Sequence, residues 1–194
     1  QALATGARNK GAEIYRNTTV IGIKQIKSGW IVETDKGTIE CEHVVSCTGN
    51  FARQTGKMVG LDIPAIPVEH QYIVTEPHPE IQKRKKDGLP EMGVLRDSDS
   101  RWYMREEAGG LLLGPYEDGA PCCYVDGPSK DSEYELFQED LDRLAPHIEG
   151  AIHRVPAFGE VGVKKVYNGA ICYTPDGNPI VGPAWGLKNF WINE

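Results

Sequence analysis

Short apolar runs broken by glycine and proline dominate this chain, and a helical rhythm is confined to a few stretches. Residues 2–10 read as a helix that turns at Gly11. Glu13–Tyr15 and Thr18–Ile23 read as strands, the second rich in β-branched residues. Gly29–Thr34 and Gly37–Cys41 flank Asp35-Lys36-Gly37, which predicts a hairpin with glycine supplying the positive φ. Val44–Cys47 is a short apolar strand of the buried parallel kind, and Phe51–Val59 is a modest helix closed by Gly60.

The pattern changes at Leu61-Asp-Ile-Pro-Ala-Ile-Pro67, where two prolines mark a crossing between domains. Glu69–Glu76 alternates as a strand, and Pro77–Pro90 is a polar, basic loop with a helical turn. Arg101–Arg105 and Gly110–Gly114 form a meander across Glu106–Gly109. Ser129–Pro146 predicts the clearest helix: Tyr134, Phe137, Leu141 and Leu144 make one stripe, Ser132 and Glu135 a capping box, and Pro146 the stop. Phe158–Val166, Ala170–Tyr173 and Asn189–Glu194 read as further strands. No internal repeat and no low-complexity tract occurs.

Composition narrows the class only a little. With 194 residues, 40% apolar and 25% charged, the chain can bury a core, and its net charge of −7 argues against nucleic acid or an anionic membrane as partner. No apolar run has the length of a membrane span. Five cysteines, an odd number without a CxxC pair, disfavour both a disulfide framework and a zinc ribbon. The expected setting is reduced and intracellular. His147 and His153 lack a metal-ligand spacing, so no metal site is predicted. Lys83-Arg-Lys-Lys86 reads as a solvated loop.

The ordered set of motifs says more than any one of them. A strand beginning at Val20 is followed by Cys47-Thr-Gly49, His70-Gln-Tyr72, Arg101-Trp-Tyr-Met-Arg105, Gly114-Pro-Tyr-Glu117 and Thr174-Pro-Asp-Gly-Asn-Pro-Ile-Val-Gly182. In this order and spacing the chain resembles the D-amino-acid-oxidase superfamily of FAD enzymes, closest to the dimethylglycine and sarcosine dehydrogenases and oxidases. The resemblance covers essentially all 194 residues. It implies an α+β to α/β fold, in which a partial FAD-binding Rossmann-like domain is interrupted by a mixed, mainly antiparallel substrate-domain sheet with flanking helices. The expected divisions are 1–64 in the FAD domain, 65–162 in the substrate domain and 163–194 returning to the FAD domain.

No Gly-x-Gly-x-x-Gly occurs in the chain. We therefore read it as the interior of a longer flavoprotein. In such relatives the nucleotide fingerprint and a histidine that anchors the flavin covalently precede the equivalent of Gln1. A glycine-rich turn follows the equivalent of Glu194, and folate-dependent domains often lie further downstream. The implied cofactor is FAD, with tetrahydrofolate a partner of the longer protein. The implied substrate is an N-methyl amino acid, and the acceptor an electron-transfer flavoprotein or O2. The compartment would be the cytoplasm in a bacterium or the mitochondrial matrix in a eukaryote.

The resemblance also assigns residues, each against a plainer reading. His70 and Tyr103 would be catalytic, with hydrogen-bonded core histidine and packed tyrosine as the alternatives. Arg101, Arg105 and Tyr72 would bind substrate; alternation puts 101, 103 and 105 on one face, yet each arginine alone also suits a solvated strand. Val20, Cys47, Thr48 and Gly49 would approach the cofactor, as would Asp176, Pro179 and Ile180, which otherwise make a plain turn. Cys172 sits in a region where some sarcosine oxidases carry FAD, at an offset that favours a structural thiol. Two other functions stay open: a non-catalytic homologue like the regulatory subunit of pyruvate dehydrogenase phosphatase, and another amine or amino-acid oxidase.

Overall fold

β-branched residues with two-residue turns build the first sheet, and the computed structural model describes residues 1–129, 131–133 and 135–194. The chain divides into two compact units. One comprises Gln1–Thr48, Ala52–Ile63 and Pro179–Glu194; the other comprises Gly49–Phe51 and Pro64–Asn178.

In the first unit, helix α1 (Ala2–Asn9) precedes an antiparallel meander of β1 (Val20–Ile26), β2 (Gly29–Thr34) and β3 (Gly37–Cys41). The hairpin closes with Thr34 opposite Gly37, as the Asp35-Lys36 turn predicts. Glu13–Tyr15 forms no strand, and its side chains are exposed. β4 (Val44–Ser46) runs parallel to β11 (Phe190–Asn193), which pairs antiparallel with β10 (Val181–Pro183). Helix α2 (Ala52–Met58) ends before Gly60, whose φ of 78° suits glycine. Ile23, Trp30, Ala184 and Phe190 form the core. Trp30 meets Phe190 edge-on at 5.2 Å, and its indole N–H donates to the Lys188 carbonyl at 3.1 Å.

The second unit is organised by an antiparallel sheet in the order β6 (Leu95–Asp97), β7 (Trp102–Glu107), β8 (Gly110–Pro115), β5 (Ile66–Thr75) and β9 (Val163–Tyr173). Helix α3 (Pro79–Lys86) lies between β5 and β6 in sequence and is capped by the His78 ring, which accepts from the Glu80 N–H. β9 is one strand where the sequence suggested two. Phe158 instead falls in a short 3-10 turn, Pro156–Glu160. Asn168-Gly169 interrupts the apolar pattern, but Asn168 is buried and donates to Glu69 and to the Gln138 carbonyl, so the strand runs through. Because β9 pairs with β5 from Ile66 to Thr75, residues 163–178 stay with this unit instead of returning at 163.

The expected helix at Ser129–Pro146 is corrected. Tyr134 lies outside the described residues, and the described part of 129–140 is not helical. Helix α4 is Leu141–Arg154, with Pro146 inside it. Asp140 caps it by accepting from the Arg143 N–H at 3.1 Å, while Ser132 bonds the Glu135 side chain and caps nothing. Proline one turn into a helix forfeits one i→i−4 hydrogen bond. Burial of Leu144, His147 and Ala151, with Ile148 and Val155 beside them, holds the helix against that loss. These residues cover Ile73, Trp102, Met104, Leu111 and Leu113 on one face of the sheet.

Candidate active site

The other face of the same strands carries the chemistry. Side chains alternate along a strand, so with Ile73, Trp102, Met104, Leu111 and Leu113 facing the core, His70, Tyr72, Tyr103, Arg105 and Leu112 face away. The register then sets them side by side. Arg96 opposes Tyr103 and Tyr103 opposes Gly114, while Tyr72 opposes Tyr167 and His70 opposes Gly169. Gly114 is required by its neighbour, since a Cβ there would come within 2.1 Å of the Tyr103 ring. The phenol therefore lies over Gly114.

Rings dominate the surface. Tyr72 stacks on Tyr167 at 4.8 Å and 17°. Tyr116 stands between Tyr103 and His70, at 6.0 and 6.1 Å. Cations cover two of these rings: Arg96 lies 5.2 Å from the centre of Tyr116, and Lys165 lies 4.5 Å from the centre of Tyr167. A groove of about 480 Å³ is lined by Tyr72, Tyr103, Arg105, Leu112, Lys165 and Tyr167. Its lining mixes apolar and phenolic side chains with the charged groups of Arg105, Glu107, Lys164 and Lys165.

Burial shapes the titration of this face. It pulls the His70 imidazole below its ordinary value, with the nearby Glu117 charge opposing the change. His70 is thus neutral at pH 7 and able to accept a proton. Burial raises Tyr72 and Tyr173, which remain phenols, and Tyr116, Tyr103 and Glu117 reinforce the effect at Tyr173.

The proposed substrate residues separate here. His70, Tyr72, Tyr103 and Arg105 come together on this face. Arg101 does not: its φ of 54° puts it in a turn before β7, and its guanidinium grips Asp118. The alternation argument fails because it assumed an extended backbone at 101. Arg105 shares its charge with Glu107 at 2.6 Å, two residues along the same face. Sequence reasoning missed Arg96, Tyr116, Lys165, Tyr167 and Tyr173 as members of the site. Only Tyr116 stood in a motif singled out, and the others become neighbours through pairing between distant strands.

The residues expected at a cofactor are dispersed along the chain. Val20 opens β1 opposite Thr34. Cys47 and Thr48 follow β4. The Thr48 N–H and hydroxyl both donate to the Glu194 carboxylate at 2.9 Å, as does the Ser46 hydroxyl at 2.7 Å. Gly49 follows with φ 54°, and a Cβ there would meet nothing within 4 Å. Ile180 and Glu194 exchange backbone hydrogen bonds, which extends the β10–β11 pair by one residue, up to but not including Pro179. Asp176 accepts from the Thr174 hydroxyl and the Asn178 N–H within its turn, and these bonds hold its carboxyl below the usual range. Cys172 lies within β9 opposite Pro67.

All 194 residues match a family described as FAD dependent oxidoreductase, and the chain belongs to that family. It is 40% identical to the mitochondrial dimethylglycine dehydrogenase of Rattus norvegicus and 33% identical to the mitochondrial sarcosine dehydrogenase of Mus musculus, over 98% of this chain in each case. Those matches take in 22% and 20% of the two proteins, so the chain spans about a fifth of their length. Its fold matches that of L-proline dehydrogenase from P. horikoshii with a TM-score of 0.76 at 24% identity, covering 99% of this chain and 47% of that one.

FAD joins a flat ring system to a diphosphate, and the residues present suit only part of it. Gly49, with open space where a side chain would stand, allows a close backbone approach. The Thr48 donors that could meet a phosphate are instead bonded to a carboxylate, Glu194, whose charge repels one. This strand end fits the flank of a bound nucleotide and does not fit its diphosphate.

Proposed function

We propose that this protein oxidises an N-methylated glycine, dimethylglycine in preference to sarcosine. The reading rests on the sheet face that carries a half-buried His70 beside Tyr116 and Tyr103, with Tyr72 on the same face and Arg96 and Lys165 over neighbouring rings. The 40% identity to a dimethylglycine dehydrogenase supports the choice of substrate.

An N-methyl amino acid arrives largely as the ammonium, and its nitrogen must lose a proton before a hydride can leave the methyl carbon. His70, neutral because it is buried, accepts that proton. The tyrosine rings give the methylated nitrogen an apolar, π-rich contact and exclude water from it. Arg105 and Lys165 attract the substrate carboxylate to the rim of the groove. Tyr103, laid across Gly114, fixes the methyl group within reach of the reacting partner. FAD, when bound, supplies the hydride acceptor, with Cys47, Thr48 and Gly49 along its flank and Val20, Asp176, Pro179 and Ile180 contributing further contacts.

The product is an iminium, which passes to tetrahydrofolate or is hydrolysed, and the electrons pass to an electron-transfer flavoprotein or to O2. Covalent attachment of the flavin through a histidine outside residues 1–194 belongs to the same reading. So does the compartment, the mitochondrial matrix in a eukaryote and the cytoplasm in a bacterium. The test is anaerobic mixing of the flavin-loaded protein with dimethylglycine, then with sarcosine, while the flavin absorbance is followed. Bleaching within a turnover time is expected. A flavin that stays oxidised with both substrates overturns the reading.

A further inference from the structure

Below His70 lies a buried polar group that the mechanism above does not use. β5 pairs with β8 at Ile73 and Val74, and the pairing stops before Gln71, which the register sets opposite Pro115. The vacated hydrogen-bonding position beside β5 is taken by the Glu117 carboxylate. One oxygen accepts from the Gln71 backbone N–H at 2.8 Å, and the other accepts from the Gln71 side-chain amide at 2.7 Å. The Glu117 side chain is 1% exposed, and Arg143 lies 3.2 Å from it. Gln71, itself fully buried, also accepts from the Asp140 N–H at 2.7 Å and donates to the Asp140 carbonyl at 3.1 Å.

We infer that Glu117 is a positioning residue for His70: its buried carboxylate fixes the backbone next to the imidazole and sets a negative charge near it. This inference rests on the functional reading above. A water molecule or a backbone carbonyl would satisfy the Gln71 N–H equally well as a matter of hydrogen bonding. A carboxylate costs several kcal/mol to bury, and a fold that needed only an acceptor would not require it. What the carboxylate adds is charge within the gap beside His70.

The groups around that imidazole are few. On its own strand are Glu69 and Tyr72. From the segment leaving β8 come Tyr116 and Glu117, and from β7 comes Tyr103. β9 places Gly169 opposite His70, β6 contributes Arg96 across the Tyr116 ring, and α4 contributes Arg143 behind Glu117. Of these, Glu117 opposes the effect of burial on His70. Without it the imidazole would be a weaker base and would hold a proton from the substrate ammonium less well. Arg143 is bonded to Glu69 at 3.2 Å and lies equally near Asp140, which distributes its charge among three carboxylates.

The test is the pH profile of flavin reduction by dimethylglycine in the flavin-loaded protein and in its Glu117→Gln variant, which keeps an acceptor for the Gln71 N–H and removes the charge. The acid limb should move to lower pH by about 0.5–1 unit, with a lower plateau rate. Glu117→Asp, which keeps the charge, should leave the limb where it is. An unmoved limb in a folded Glu117→Gln protein, with only its thermal stability lowered, shows a merely structural role and overturns the inference. Loss of Arg143's partner can reduce the yield of that variant, so a second measurement uses the unmodified holoprotein. NMR of selectively labelled histidine should show His70 titrating with the midpoint of the acid limb, and a different midpoint overturns the inference. Failure of the unmodified protein to reduce its flavin with either substrate would instead refute the proposed function.

Discussion

The two faces of the five-stranded sheet use alternate residues of the same strands, and they differ in almost every property. Beneath α4, Ile73, Trp102, Met104, Leu111 and Leu113 are buried to 5% exposure or less, and their fit is a matter of volume. On the reverse side, tyrosines, a histidine, two arginines and a lysine remain half-buried or exposed, and their relations are angular: stacked rings, a phenol over a glycine, cations over π-faces. One residue of offset separates these functions. Mutations on the first face should therefore change stability, and those on the second should change chemistry at nearly constant stability.

The largest effect is expected at Leu113, fully buried in the core face. Leu113→Ala should cost about 2–5 kcal/mol, read as a lowered denaturation midpoint with an unchanged slope. Its neighbour in sequence gives the contrast. Gly114→Ala drives a methyl into the Tyr103 ring, so the phenol must leave its position. Flavin reduction should slow by about tenfold or more, with a smaller loss of stability than at Leu113. Equal stability losses at 113 and 114 would break the comparison between the faces.

A smaller effect should appear with pH. Because burial lowers His70, the fold favours the neutral imidazole. Its contribution to stability is complete above the ordinary histidine value of about 6.5 and is lost as pH falls from there through the folded value. Comparing stability against pH for the unmodified protein and His70→Gln should show a shallower acid-side decline in the variant. Parallel curves would mean that His70 is not held neutral by burial. The smallest effect is expected from Arg101→Ala. That arginine pairs with exposed Asp118 off the face, so flavin reduction should be unchanged; a slowed reduction would restore it to the substrate site.

Much of this architecture could be read from the sequence where a local cause sufficed. The Asp35-Lys36 hairpin, the glycine that ends α2 and the apolar parallel strand at 44–46 each follow from a few adjacent residues. Two misreadings share a different origin. Pro146 was given the power to end a helix, and the stretch before Tyr173 was read as two strands, yet tertiary burial of Leu144 and of Asn168 overrode both. The candidate site was partly legible because His70, Tyr72 and Tyr103 lie in short motifs. Tyr167 and Arg96 were not, since they reach the face only through the β5–β9 and β6–β7 registers. Local residues do not specify which distant strand will lie alongside.

The central claim is that His70 and Tyr103 on the second face act on the substrate. Its most direct test is anaerobic stopped-flow reduction of the flavin-loaded protein by dimethylglycine, with His70→Ala and Tyr103→Phe alongside the unmodified protein. The account predicts reduction slowed by about 10²-fold or more in His70→Ala, a smaller slowing in Tyr103→Phe, and unfolding midpoints close to that of the unmodified protein in both. Unchanged reduction rates in both variants would contradict it and remove this face from the chemistry.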